Sequence, residues 1–324
     1  MRDNKQLHTA KKNQKDCFFT KRETVEKELI YYKKFLKGKT VYCNCDDPHY
    51  SQFWAYLKEN FYRFGIKELI ATYYSEDEPV YKTTIKKDSL GRLHTSRKQL
   101  AGNGSFDSEE CLAILQQADV VITNPPFSRL KDFVPLMYQY KKKFLVLGNQ
   151  NMITFQNVYP YLLEKKLYLG VSIHSGGTEF VIPDNYTLSG NYSRLDTETG
   201  IKYAEVTGVR WFTNMDHHQY PAEMKLHTAK YNISHNAALT SKLMENYDAQ
   251  TYPKYDNCNA IEVPITECIP SDYKGIIGVP ITFLDKYNPQ QFRIVGFRKG
   301  DDGRDLTIKG KAPYFRVLIE RIRN

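Results

Sequence analysis

The stretch Asp119-Val120-Val121-Ile122-Thr123-Asn124-Pro125-Pro126-Phe127 holds the residues best suited to chemistry in this sequence. Three β-branched apolar residues predict a buried strand, and that strand runs straight into Asn-Pro-Pro-aromatic. Ligands on open α/β sheets bind beyond the carboxyl ends of strands, so a loop in this position meets substrate. The two prolines stiffen the backbone and remove two N–H donors while keeping their carbonyl acceptors. The Asn124 side-chain oxygen and the Pro125 carbonyl can then each accept one hydrogen of an NH2 group. That holds the nitrogen lone pair toward an electrophilic methyl and offsets the positive charge that develops on transfer. The Phe127 ring can stack on a planar base. A base in a duplex must first be flipped out, at a cost of a few kcal/mol, against which stacking contributes roughly 1–3 kcal/mol. The competing reading is a rigid strand-to-helix turn, since Asn-Pro and Pro-Pro both occur in turns. The strand before the loop and the α/β pattern around it favour the chemical reading, and an amine nucleophile needs no Ser/His/Asp or Cys/His set.

The elements that must position this loop alternate along the first half of the chain. Thr20-Lys21-Arg22-Glu23 has the form of a capping box. Val25, Leu29, Tyr32 and Leu36 follow at helical spacing up to Gly38. Thr40 to Cys45 reads as a strand with a turn at Asp46-Asp47-Pro48, then Ser51 to Phe64 as an amphipathic helix ended by Gly65. Leu69 to Tyr74 reads as a strand, Ser108 to Gln117 as a helix, Leu130 to Tyr140 as a helix containing Pro135, and Phe144 to Leu147 and Leu167 to Ile173 as strands. The polar, Lys-rich segment from Ser75 to Gly104 gives no clear pattern. Strands alternating with helices imply an α/β domain with a mostly parallel sheet wound on both faces. Beyond about Ser175 the alternation fades into irregular, β-rich sequence with long loops, where Ile281 to Leu284, Phe292 to Phe297 and Tyr314 to Ile319 are the clearest strands. The expected organisation is a flexible basic arm over 1–16, a catalytic domain over 17–174, and a region over 175–324 with return strands to the sheet possible.

With 324 residues, 41% hydrophobic residues and 25 tyrosines, the chain has enough apolar matter for a packed core and is not of the disordered class. A formal charge of +9 suits an anionic partner, nucleic acid first among them, though a merely basic protein is the bland alternative. No run approaches the ~20 apolar residues of a membrane span, and Met1 to Lys15 lacks an apolar signal core, so a cytoplasmic location is expected. Six scattered cysteines are then expected as reduced thiols. Cys43-Asn44-Cys45 resembles half a metal site, but no second Cys/His pair has matching spacing, so no metal is expected.

The residues also resemble a known family. Asn124 to Phe127 matches the (Asp/Asn/Ser)-Pro-Pro-(Tyr/Phe/Trp) motif of amino-methyltransferases. The wider chain resembles the EcoRI-type adenine-N6 DNA methyltransferases through Val41-Tyr-Cys-Asn-Cys-Asp-Asp-Pro48, Asp119 to Phe127, Lys143-Phe-Leu-Val-Leu147, Tyr252-Pro-Lys-Tyr-Asp256, Gly278-Val-Pro-Ile-Thr-Phe-Leu284 and Pro313-Tyr-Phe-Arg316. The resemblance implies a Rossmann-like, S-adenosylmethionine-dependent methyltransferase sheet followed by a target-recognition region. It also implies double-stranded DNA as partner, a bacterial or phage source, and a cognate restriction endonuclease that could act on the same site without obligatory contact. By the same resemblance Asn124, Pro125, Pro126 and Phe127 are catalytic. Cys17-Phe18-Phe19-Thr20 is similar to the short motif that contacts the methionine end of the cofactor, with a plain helix cap as the competing role for Thr20. Cys43, Asn44, Asp46 and Asp47 occupy the first strand-to-helix turn, where most methyltransferases carry glycines; the EcoRI-type family shares this departure. Asp46 or Asp47 would hold the cofactor's amino group, or would cap the helix near Ser51. Glu76 is the nearest acid for the ribose hydroxyls, and Asn103 the candidate for reading the cofactor's adenine, with Phe106 beside it.

For DNA, the N-terminal Lys11, Lys12 and Lys15 with Lys21 and Arg22, and Lys86, Lys87, Arg92, Arg97 and Lys98 of the polar segment, are candidate phosphate contacts, with a solvated tail as the competing reading of the first cluster. Arg194, Arg210, Asn214 and His217 are of the residue types that read base edges. Two other readings stand beside this one. An RNA or protein-glutamine amino-methyltransferase would use the same tetrapeptide, and a DNA-binding protein with an inactive cofactor site would explain the missing glycines.

Overall fold

The computed structural model describes residues 19–174, 177–182 and 193–322. The arm over 1–16, including Lys11, Lys12 and Lys15, and Cys17-Phe18 of the short motif lie outside the described residues. The chain forms two compact units, Met1–Val158 with Lys165–His217, and Tyr159–Glu164 with His218–Asn324. The first unit therefore extends past residue 174 and takes in 177–217 of the region read as β-rich.

The first unit is mixed α/β. Its strands in chain order are β1 (Phe19–Thr20), β2 (Thr40–Cys43), β3 (Glu68–Ala71), β4 (Tyr81–Lys87), β5 (Leu93–Gln99), β6 (Val120–Thr123), β7 (Lys143–Asn149), β8 (Tyr168–Leu169), β9 (Thr178–Ile182), β10 (Ser193–Leu195), β11 (Lys202–Val206) and β12 (Val209–Thr213). Eight of them form one sheet in the order β5-β4-β3-β2-β6-β7-β12-β8. The inner pairs β2–β3, β2–β6 and β6–β7 are parallel. The flanks β3–β4, β4–β5, β7–β12 and β12–β8 are antiparallel. Every residue of β2, β6 and β12 is buried, as expected for strands covered on both faces. A smaller antiparallel sheet, β1-β9-β11-β10, belongs to the same unit.

The apolar periodicity near the N-terminus folds as read. Val25, Leu29, Tyr32 and Leu36 are fully buried along Arg22–Leu29, a 3₁₀ turn and Lys33–Leu36. The capping box does not form. Thr20 pairs with Phe180 as part of β1, so the N-cap falls one residue later at Lys21, whose side chain caps nothing. The Gln52–Glu59 helix is capped by the Ser51 hydroxyl, which accepts from Trp54 N–H at 3.2 Å. The Leu130–Gln139 helix runs through Pro135.

Three expectations are corrected. Ser75 to Gly104 is organised after all, as the β4–β5 hairpin on one sheet edge. Leu167 to Ile173 contributes only the two residues of β8. In the second unit, whose strands are β13 (Ala260–Glu262), β14 (Ile276–Pro280), β15 (Phe292–Phe297) and β16 (Arg316–Arg321), Ile281 to Leu284 is a 3₁₀ turn. The strand lies just before it and ends at Pro280, paired with Arg316, because proline has no N–H to continue the ladder. This unit also holds the helices Ala229–His235 and Ala237–Tyr247, which the sequence pattern did not announce.

Candidate active site

The site is assembled where β2 and β6, parallel neighbours, both reach their carboxyl ends. Asp46 follows β2 and is only 6% exposed. Its carboxylate accepts from Ser51 Oγ at 2.6 Å, from the Thr123 hydroxyl at the end of β6, and from the Asn124 backbone N–H. Thr123 Oγ1 in turn accepts from Cys45 N–H at 3.1 Å. One buried carboxylate thus ties the first turn, the start of the Gln52–Glu59 helix and the Asn124–Phe127 loop together. This tie is made through the Asn124 backbone, so it does not occupy that residue's side chain.

Burial pushes the Asp46 carboxyl up from its ordinary value of 3.8 to about 6, against hydrogen bonds from Ser51, Thr123 and Asn124 that hold it down. A raised folded-state value means that the native chain binds the proton more tightly than the unfolded one. Stability from this group is fully present below about pH 4 and is lost as pH rises through about 6. The loss amounts to about 3 kcal/mol at 1.36 kcal/mol per unit. Asp46→Asn is therefore expected to flatten the stability profile between about pH 4 and pH 6 in urea titrations. Parallel profiles for both proteins would show that the carboxyl is not perturbed.

Asp47 serves the turn itself. Its side chain accepts from His49 N–H at 2.9 Å, and its carbonyl accepts from Tyr50 and Ser51 N–H. Neither aspartate caps the helix directly, since Ser51 does. Cys43 is fully buried in β2, and burial raises the thiols of both Cys43 and Cys45 well above their ordinary range. Asn44 is 1% exposed, and its Nδ2 donor has no hydrogen-bond partner among the described residues. Thr20 Oγ1 is likewise buried and unpartnered. The adjacent Phe19 ring lies 5.8 Å from that of Tyr50, which brings β1 beside the first turn. A cavity of about 600 Å³ opens on this side, lined among others by Phe19, Thr20, Tyr50, Ile182 and Tyr203; Asp46 and Asn124 do not line it.

Glu76 and Asn103 lie on loops that run side by side, Ser75 N–H donating to the Asn103 carbonyl at 3.0 Å. Gly104 allows that approach, because a Cβ there would stand 2.0 Å from the Tyr73 carbonyl oxygen. Both side chains are exposed; Glu76 accepts from Tyr74 Oη, and Asn103 Oδ1 accepts from Ser105 N–H at 3.1 Å. Phe106 is core, edge-on to Phe133 at 5.0 Å and covered by the Arg129 guanidinium.

Pro125 is buried, and the Pro126 carbonyl accepts from Arg129 N–H at 2.9 Å. Phe127 is partly buried, edge-on to Phe180 of β9 with ring centroids 6.2 Å apart. Thr123, Ser51 and Phe180 are the parts of this arrangement that sequence reasoning passed over. Thr123 and Ser51 had a usable signal, as polar residues closing a buried strand and opening a helix. Phe180 had none, because it lies on a strand beyond the expected boundary. Among the described residues no group of three or more His, Cys, Asp or Glu is placed to hold a metal, and no helix is long and apolar enough to cross a membrane.

The model of the family described as adenine-specific methyltransferase EcoRI matches residues 6–315. The chain belongs to that family. It is 39% identical to the type II methyltransferase M.EcoRI of Escherichia coli, over 99% of this chain and 97% of the relative. It is 31% identical to the type II methyltransferase M.MgeORF184P of Mycoplasma genitalium, over 97% and 98%, and 32% identical to M.MpnI of Mycoplasma pneumoniae, over 98% of each. No solved structure matches the chain. Membership of an adenine-specific family removes the protein-glutamine reading, and the Asn-Pro-Pro-Phe loop is intact within it.

Proposed function

We propose that this protein, an adenine-specific methyltransferase by family, moves a methyl group from S-adenosylmethionine to the N6 amine of an adenine flipped out of double-stranded DNA. The observation that carries this reading is the Asn124–Phe127 loop, which leaves β6 at the carboxyl edge of the parallel strands and is pinned through its own backbone to buried Asp46. The bound cofactor would supply the electrophilic methyl. Asn124 Oδ1 and the Pro125 carbonyl accept the two hydrogens of the amine and so aim its lone pair. The engagement of the Pro126 carbonyl by Arg129 supports Pro125 as the second acceptor. Preorganised acceptors of this kind gain strength as positive charge develops on the nitrogen. Phe127, backed by Phe180, offers its ring to the extruded base.

Two features support a cofactor site despite the absent glycines. Asn44 Nδ2 and Thr20 Oγ1 are buried polar atoms without partners, and a buried donor that is left unmet costs about 1–3 kcal/mol. Both can donate to the cofactor's carboxylate. Phe19 walls that side, with Cys43 in the core beneath the turn, Asp47 shapes the turn itself, and Glu76 and Asn103 stand ready for ribose and adenine. Asp46 acts here by positioning the loop. The parallel β3-β2-β6-β7 segment supports reading the sheet as Rossmann-like, and the second unit is the proposed target-recognition region.

Expression in a bacterial host without adenine methylation tests the whole reading. Nucleoside analysis of the cellular DNA should reveal N6-methyladenine, and methylation-sensitive sequencing should place it in one sequence context. Methyl groups confined to RNA, or no N6-methyladenine in DNA, would defeat the proposal.

A further inference from the structure

The β4–β5 hairpin concentrates charge. Residues 81–99 hold six Lys or Arg against the single acid Asp88, so over half of the chain's formal +9 lies in nineteen residues. The antiparallel register sorts these cations by face. Lys82 stands directly opposite Lys98, Thr84 opposite Ser96, and Lys86 opposite His94, all on one face. The other face carries Arg97, which lies over the Tyr81 ring at 4.3 Å, and Arg92 is held at the turn by Asp88 at 3.1 Å. Of the five hairpin residues singled out from sequence, Lys98 is thus the one with a cation squarely beside it, and its partner Lys82 went unnoticed.

Like charges directly opposite on neighbouring strands destabilise a sheet. Lysines on an exposed edge strand are a common guard against edge-to-edge pairing. That explanation covers Lys98 on edge strand β5, but not Lys82, which is on the inner strand β4 and adds only repulsion. The acids nearby are committed. Glu68 pairs with Lys86 at 3.0 Å. Glu110 accepts the N–H groups of Gly102 and Ala101, which hold its carboxyl low, with the Lys98 charge adding least. No ion pair among the described residues involves Lys82 or Lys98.

We infer that this face of the hairpin, centred on the Lys82–Lys98 pair, is a docking surface for the phosphate backbone of duplex DNA. The inference rests on the DNA reading above. A cross-strand lysine pair costs stability without an anion and loses that cost with one, and the exposed Ser96 and His94 add hydrogen-bond donors of the kind phosphates accept. β5 lies four strand spacings from β6, about 19 Å at 4.8 Å per step. For a duplex running across the strands the contact falls on flanking phosphates, about five or six base pairs from the extruded base at 3.4 Å per pair.

The test is the salt dependence of binding, using the full-length chain, a 30-base-pair duplex and fluorescence anisotropy. Each phosphate contact contributes about 0.9 to the slope of log affinity against log salt. Lys82→Gln/Lys98→Gln should lower that slope by about 1.8, so that the wild-type advantage shrinks about 12-fold between 50 and 200 mM salt. The thermal midpoint of the double variant should stay level or rise, because a repulsion has been removed. Parallel salt plots for both proteins would overturn the inference, as would a midpoint that falls together with binding, which would assign the lysines to the fold. A wild-type chain without salt-dependent affinity for duplex DNA would overturn the DNA reading itself, and this surface with it.

Discussion

Asn124→Ala is expected to lower the rate of methyl transfer by about 10²–10³-fold, the usual effect of deleting one preorganised hydrogen-bonding group that stabilises developing charge. The substitution leaves the backbone tie intact, since the Asp46 carboxylate is held by the Asn124 N–H, which alanine retains. Fold and cofactor affinity should therefore survive. Single-turnover transfer from labelled cofactor reads the first quantity and calorimetry the second. A variant with near-normal turnover on its correct site would remove Asn124 from the chemistry. Loss of cofactor binding along with turnover would instead show that the side chain belongs to the cofactor pocket.

The second large effect lies far from that loop in sequence. Glu262 is fully buried and Arg316 9% exposed. Arg316 donates to Glu262 from Nε at 2.9 Å and from Nη2 at 2.7 Å. Tyr247 Oη adds a third donor to the same carboxylate at 2.9 Å, and Tyr255 Oη a fourth. Arg316→Leu leaves the buried carboxylate without its counter-charge, with only the two tyrosine hydroxyls still donating, and should destabilise the second unit by about 3–5 kcal/mol. Replacing both residues by apolar ones of similar volume should cost far less, since no uncompensated charge remains. Urea titration of the three proteins separates these cases. A loss below about 1 kcal/mol for Arg316→Leu would mean that the pair is dispensable.

How much of this was legible in the sequence depends on how local each feature is. The strand Val120–Thr123 and its loop are contiguous, and the apolar stripe from Val25 to Leu36 follows one helical period, so both read directly. Thr20 misled because its capping pattern is local while its real partner, Phe180, is 160 residues away. The Asp46–Thr123 contact likewise joins residues 77 apart, and no spacing rule reports it. The β4–β5 hairpin was opaque for a different reason. β5 is exposed at every position but one, so it has no buried face to impose an apolar alternation. β12 is buried on both faces, yet its second residue is Arg210, which disguises a core strand as a polar one. Adenine and DNA came from resemblance along the whole chain, because the tetrapeptide speaks only for an amine.

The second compact unit is discontinuous, gathering Tyr159–Glu164 from within the span of the first and then everything from His218 onward. The chain therefore cannot be divided into two modules by a single cut. A fragment ending at His217 would keep Tyr159–Glu164 and lose the residues it packs among, and a cassette starting at His218 would arrive without it. Shuffling such a unit between relatives requires two matched crossovers instead of one. In a lineage built this way, change within the unit is reached more readily by point substitution than by wholesale exchange.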